Sequence, residues 1–238
     1  MTGAGQGGSE RPLGPSRPRP TFGVVLLCAG ASPSGGRPKG ALPHLGRSLV
    51  VHAARTALAS GASEVVVVLG DGASELRPLL TGLGVRIVTN RAWAEGIGSS
   101  VRAGIAALSP DLDGAVVTLG DRTRITPAHL RALAEGLGEA PIVASQYDGV
   151  LGAPCAFARS EFPRLLALPG HQGARAILRD AAERVAQQIA TIVFAAANVR
   201  IDLPEGRTVI VPAPLGRTPL RSIAARDSRA PPRAYAPA

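Results

Sequence analysis

Lysine is almost missing from this chain. Of its 26 basic residues one alone, Lys39, is a lysine, and the other 25 are arginines. Aromatic residues make up only 3% of the chain, so a core has to be assembled from Val, Leu, Ile and Ala. The same scarcity removes the arginine stripe interleaved with aromatics on which single-stranded nucleic acid stacks. There are two cysteines, Cys28 and Cys155. They lie far apart in apolar contexts without metal-ligand spacing, which reads as small core residues rather than a disulfide or a nucleophile. A cytoplasmic, reducing compartment fits that usage. No apolar run approaches the roughly 20 residues that span a bilayer, and residues 1–20 carry no apolar segment of the signal-peptide kind. No membrane partner is expected.

What is present is a chain of 238 residues, 45% apolar, which is enough for one sizeable core and argues for one domain with tails. The net charge of +9 sits mostly at the ends: residues 1–20 contribute +2, residues 213–238 contribute +4, and the middle carries +3. Both ends are rich in Pro, Gly, Ser, Ala and Arg without periodicity, so 1–20 and 213–238 are read as disordered tails around a domain at 21–212. Because the charge belongs to the tails, nucleic acid is not an expected partner.

Between the tails, short apolar runs alternate with helical spacing. Strands are expected at Phe22 to Leu27, Val65 to Leu69, Val85 to Val88, Ala115 to Leu119, Ile142 to Ala144, Ile189 to Ala195 and Val199 to Ile201. Helices are marked by Leu49, Ala53, Ala57 and Leu58, and by Leu76, Leu79 and Leu80. A third pattern runs through Val101, Ile105 and Leu108, with Ser99-Ser100 as its cap. A fourth opens at Thr126-Pro127 and carries Leu130, Leu133, Ala134 and Leu137; a fifth carries Ala174, Ile177, Leu178 and Ala181. The alternation predicts an α/β fold, a mostly parallel sheet covered by helices on both faces. Ligands of such folds bind outside the carboxyl ends of the strands. The glycine-rich loop after the first strand, Asn90 and Asp121 all follow strands directly.

That loop, from Ala29 to Gly40, has glycines at 30, 35, 36 and 40 and ends beside Lys39. Glycines let backbone N–H groups converge on an anion, and an ammonium is a compact point charge unlike the planar guanidinium fork. Neither G-x-x-x-x-G-K-[ST] nor G-x-G-x-x-G is present.

The run Leu27-Cys-Ala-Gly-Ala-Ser-Pro-Ser-Gly-Gly-Arg-Pro-Lys39 resembles the L-A-A-G-x-S-x-R-M-G-x-x-K signature of MobA-like nucleotidyltransferases. The chain is most similar to the molybdenum cofactor cytidylyltransferase branch. The likeness continues through Leu42-Pro43, Gly46, Leu49 and His52, and through Asn90 to Ser100, which is similar to N-x-x-W-x-x-G-x-x-S-S. It goes on in Leu119-Gly120-Asp121 (L-G-D), Gly152-Ala-Pro154 (G-H-P), Gly170 to Arg175 (G-D-x-G-A-R) and Ile201 to Glu205, covering about residues 22–206. The resemblance implies a Rossmann-like three-layer sandwich of the nucleotide-diphospho-sugar transferase type. It also implies Mg²⁺-dependent transfer of a nucleoside monophosphate from an NTP to a small phosphorylated acceptor such as molybdopterin, CTP being favoured over GTP. On it, Lys39 and Asp121 are catalytic. Ala29, Gly30, Gly35, Gly36, Arg37, Lys39, Asn90, Ser99 and Ser100 bind nucleotide, while Trp93, Gly152 and Pro154 bind acceptor, and Asp121 with Asp202 hold the metal. A molybdoenzyme maturation partner is implied as well.

The chain departs from the signature at Ser34-Gly35 (Arg-Met in the family), at Arg122-Thr123 (Gln-Pro), at His171 (Asp) and at Arg200 (an acidic or amide residue). Losing one charge-assisted phosphate contact costs on the order of 1.5–3 kcal/mol. The alternatives are therefore a nucleotide-binding accessory protein on the same scaffold, or a scaffold turned to another small-molecule reaction such as reduction of a ring substrate. For the last, no nicotinamide or flavin motif is present.

Overall fold

A strand with apolar residues on both faces has to be covered from both sides, and β1 (Phe22–Cys28) is such a strand: residues 22–27 are all buried. The computed structural model describes residues 20–30, 36–147, 150–178, 189–193, 197–202, 208–213 and 221–222, the last four segments as backbone. In the main sheet β1 lies between β4 (Glu64–Leu69) and β6 (Gly114–Leu119), paired in parallel with each. β5 (Arg86–Thr89) extends the sheet beyond β4. On the other side come β8 (Val150–Ala158), β7 (Ile142–Tyr147), β9 (Ile189–Val193) and β12 (Arg221–Ser222). Of these eight strands, β8 and β12 run against the other six. Two small hairpins stand apart, β2 (Pro43–His44) with β3 (Arg47–Ser48), and β10 (Ala197–Asp202) with β11 (Thr208–Ala213).

Alternation along β1 divides the core in two. Val24 and Leu26 pack with Val50, Ala54 and Ala57 of α1 (Leu49–Leu58), Leu76 of α2 (Ala73–Leu79), and Leu130 and Leu133 of α4 (Pro127–Glu135). Val25 and Leu27 pack on the other face with Val101 and Ile105 of α3 (Ile97–Ala106), Leu165 of α5 (Phe162–Leu166), and Ile177 and Leu178 of the helical turn 174–178. This is the expected three-layer Rossmann-like arrangement. With few rings available, close approach supplies the packing instead: a Cβ on Gly104 of α3 would stand 2.2 Å from Val25 Cγ1, so the helix rests directly on the sheet.

Most expected elements are present near their expected bounds. Thr126 caps α4, its side chain accepting a hydrogen bond from His129 N, and Pro127 follows at the first helical position. Three differences stand out. Gly96, not Ser99-Ser100, precedes α3, and both serines lie inside the first turns, where they are buried. β8 was not anticipated, because Gly152-Ala-Pro154 interrupts its apolar pattern. Within the segment read as a tail, Ala213 ends β11 and Arg221–Ser222 pairs antiparallel with β9; Ala181, residues 1–19, 214–220 and 223–238 lie outside the described residues.

His129 is buried under β7, its Nε2 2.9 Å from Ser145 Oγ, which in turn donates to Pro154 O at 2.7 Å. Since the serine proton goes to that carbonyl, the imidazole donates from Nε2 as the neutral tautomer. Burial pushes its pKa down to about 3. The native state thus refuses a proton that the unfolded chain accepts near its ordinary pKa of about 6.5. Stability contributed by the neutral ring is full above that value and is lost as pH falls, by up to about 1.4 kcal/mol per pH unit. Urea unfolding between pH 7.5 and 4.5 should show this steeper decline in the wild type and a shallower one in His129→Gln.

Candidate functional site

Because six strands run the same way, their carboxyl ends open on one edge, and there a pocket of about 380 Å³ lies between the ends of β1 and β6. Leu27, Cys28, Ala29 and Gly30 come from β1 and its exit, and Leu119, Gly120 and Asp121 from β6. Pro38, Lys39 and Gly40 close one side, with Leu49 at the start of α1 and Leu76 of α2 behind them. Trp93, Ala94, Gly96, Ile97 and Ser100 form the opposite wall. The walls are mainly apolar, while the two charged groups, Lys39 and Asp121, are exposed at the opening.

Several contacts hold the charged loop in place. His52 Nε2 of α1 lies 3.3 Å from Thr123 O in the loop that carries Asp121, and His44 of the β2–β3 hairpin meets the His52 ring edge-on at 4.7 Å. Asp121 Oδ1 is 4.0 Å from Arg122 Nε. Cys28 lines the pocket, but burial first and the Asp121 charge second push its thiol up to about 12. It is thus a neutral, soft wall at physiological pH rather than a nucleophile. Cys155 is likewise pushed up to about 12 by burial.

The expected site residues separate into three groups. Ala29, Gly30, Lys39, Trp93, Ser100 and Asp121 come together around the pocket. Asn90 and Ser99 lie behind its wall. Asn90 Nδ2 donates to Ser99 Oγ at 2.8 Å and to Ser100 Oγ at 3.0 Å, while Asn90 Oδ1 accepts from Ala92 N at 3.0 Å. Ser99 Oγ is also within hydrogen-bond distance of Ala92 O and Gly96 O. These buried amide and hydroxyl groups brace the 92–100 segment from within. Gly36 and Arg37 are exposed in the turn before Lys39, and Gly35, like Ser34, lies outside the described residues. Gly152 and Pro154 are buried on β8 and do not line the pocket. Asp202 sits on β10 opposite Thr208, outside the main sheet, with its backbone alone described; Arg200 is on the same strand.

The 92–100 wall also depends on close backbone contact. Gly98 N donates to Gly170 O at 2.8 Å. Gly96, at φ +112°, would place a Cβ 2.6 Å from the same oxygen. Only glycine accommodates both the left-handed backbone and that approach. Sequence reasoning missed the apolar lining at Leu49, Leu76, Ile97 and Leu119, since an apolar residue at helical or strand spacing carries the same signal whether it faces core or ligand.

Among the described residues, no three His, Cys, Asp or Glu side chains converge to hold a metal. A lone carboxylate at a strand end nevertheless suits Mg²⁺, which keeps several waters and is completed by substrate phosphate oxygens.

Residues 24–191 match the MobA-like NTP transferase domain. The chain belongs to that family. Two curated proteins are similar to it. Over 84 residues it is 49% identical to the nicotine blue oxidoreductase of Paenarthrobacter nicotinovorans, a match that spans 35% of this chain and 41% of that relative. Over 164 residues it is 30% identical to the purine catabolism protein PucB of Bacillus subtilis (strain 168), covering 65% of this chain and 79% of PucB. Among solved structures, Rv0371c of Mycobacterium tuberculosis H37Rv superposes with a TM-score of 0.65 at 25% identity, covering 74% of this chain and 90% of its own. A manganese complex of Rv0371c superposes with a TM-score of 0.61. The fold is therefore that of the MobA-like NTP transferase family, an enzyme family of nucleotidyltransferases.

Removing the Asn90 side chain should collapse the brace. Asn90→Ala takes the Asn90 partner from the partly buried Ala92 N–H and the buried Ser100 hydroxyl, while Ser99 keeps Ala92 O and Gly96 O, so unfolding in urea should show a loss of about 2–3 kcal/mol, against about 1 kcal/mol for Ser100→Ala.

Proposed function

We propose that the protein transfers a nucleoside monophosphate from an NTP, with CTP favoured, to the phosphate of a small acceptor such as molybdopterin. The observation that carries this reading is that Lys39 and Asp121, on different elements, line one pocket at the carboxyl edge of the sheet. An acceptor phosphate oxygen would attack the α-phosphorus in line, forming the new P–O bond as the bond to the β-phosphate oxygen breaks and pyrophosphate leaves. Such chemistry needs positioning and charge neutralisation rather than a covalent intermediate. The Lys39 ammonium would neutralise charge developing on the departing pyrophosphate. Backbone N–H groups near Gly30 would hold phosphate oxygens. Asp121 would hold Mg²⁺, which when bound withdraws charge from the phosphoryl oxygens. The mainly apolar walls would exclude water that otherwise competes with the acceptor. Two free cysteines suit a reducing, cytoplasmic setting, and the same reading extends to a molybdoenzyme as the partner that receives the product.

The likeness to the nicotine blue oxidoreductase supports a second reading, since a mainly apolar pocket beside Trp93 also suits a flat ring. In that case a hydride from a nicotinamide donor and a proton from solvent would reduce the ring.

Incubation with each NTP, Mg²⁺ and molybdopterin should release pyrophosphate, most with CTP. Lys39→Ala and Asp121→Ala should each lower the rate by about 100-fold or more, the scale of losing a charged transition-state contact. Undiminished turnover in both variants refutes the assignment. Under the second reading, NADH or NADPH would instead be consumed on addition of nicotine blue with no NTP requirement; the first reading expects none above background.

A further inference from the structure

Beyond the rim of the pocket, two arginines reach the β7–β8 hairpin from different elements. Arg122 follows Asp121, and the two side chains are 54% and 52% exposed at an N···O distance of 4.0 Å. An ion pair so long and so exposed contributes little, so it orients Arg122 without neutralising it. Tyr147, the last residue of β7, feels this guanidinium, which opposes the upward push of burial on its hydroxyl. Arg175 comes from the helical turn 174–178. Its Nη2 lies 3.5 Å from where a Cβ on Gly152 would stand, and its charge likewise opposes the upward shift of Cys155.

The ladder brings these points together. Tyr147 pairs with Val150 and Ser145 with Gly152, so both arginines approach the same end of one hairpin. Arg175 is also tied to the pocket, because the segment before it backs onto α3: Gly98 N donates to Gly170 O, and a Cβ on Gly173 would meet Ile97 Cγ2 at 3.0 Å. Among the described residues, Asp121 is the one carboxylate in an ion pair with either guanidinium. Arg122 thus adds positive charge beside Asp121 at the rim of the pocket, and Arg175 adds it at the neighbouring hairpin.

We propose that Arg122 and Arg175 form a subsite for a dianionic phosphate monoester, the acceptor's own phosphate, beside Asp121. The inference rests on the reading of the pocket as an NTP site. Planar forks suit this ligand, since each guanidinium can present two parallel N–H groups to phosphate oxygens. Arg122-Thr123 is also a place where the chain departs from the family signature, so the subsite would distinguish this chain's acceptor from those of its relatives.

Titration calorimetry of inorganic phosphate into the full chain, saturated with Mg²⁺ and a non-hydrolysable NTP analogue, tests the subsite with the donor pocket filled. Arg122→Ala and Arg175→Ala should each raise the Kd for phosphate by roughly tenfold or more, with thermal stability unchanged because both side chains are exposed. Arg122→Lys should recover part of the loss, keeping the charge without the fork. Lys39→Ala should weaken the analogue and leave phosphate affinity unchanged. Phosphate affinity that is unaffected in both alanine variants, or that depends on Lys39 alone, overturns the proposal. Acetate binding as tightly as phosphate would reassign the subsite to a carboxylate and overturn it equally. If no analogue binds, the NTP reading fails, and the same titration without analogue still decides the subsite by its dependence on the two arginines.

Discussion

Burial of β1 on both faces is the constraint from which the rest of the molecule follows. A strand with apolar side chains above and below cannot face water on either side, so helices must cover both surfaces, and crossover connections then make its neighbours parallel. Parallel strands end together. The exits of β1 and β6, which carry Gly30 and Asp121, are brought to one edge by the same requirement that makes the core. The site is thus a by-product of how the sheet has to be covered.

The edge is organised by a division of labour between charge and rigidity. Lys39 and Asp121 stand in solvent at the opening. Behind them the pocket is shaped by uncharged groups: the neutral Cys28 thiol, the half-buried Trp93, and a segment fixed by Asn90, Ser99 and Ser100. A buried polar network of this kind is favourable only when each member is satisfied, and here each of the three takes part in more than one hydrogen bond or is held by a residue that does. The contact of Gly96 and Gly98 with the 169–173 segment extends that rigidity from α3 to the turn bearing Arg175.

The fold was legible wherever one physical signal acted alone. The unbroken apolar runs of β1, β4 and β6, and the Thr126-Pro127 start of α4, follow from burial and from backbone chemistry that a sequence displays directly. β8 was illegible because a glycine and a proline interrupt its pattern, and its place between β6 and β7 comes from long-range pairing. At the site, Lys39 stood out as the one lysine, behind a glycine-rich loop, and Asp121 through the likeness of Leu119-Gly120-Asp121 to the family's L-G-D. For Asn90 and Ser99 the resemblance of the 90–100 segment implies contact with nucleotide; the structure turns them inward, where their hydrogen bonds go to one another, to Ser100 and to backbone. Nothing local in the sequence distinguishes these two orientations.

The scarcity of lysine has a practical side. Lys39 carries the one side-chain amine in the chain, and it stands exposed at the mouth of the pocket. Reagents that seek amines therefore meet a single internal target besides the chain's own amino terminus. A ligand that covers the entrance should slow attachment of such a reagent, so the labelling rate itself reports on occupancy without any engineered cysteine.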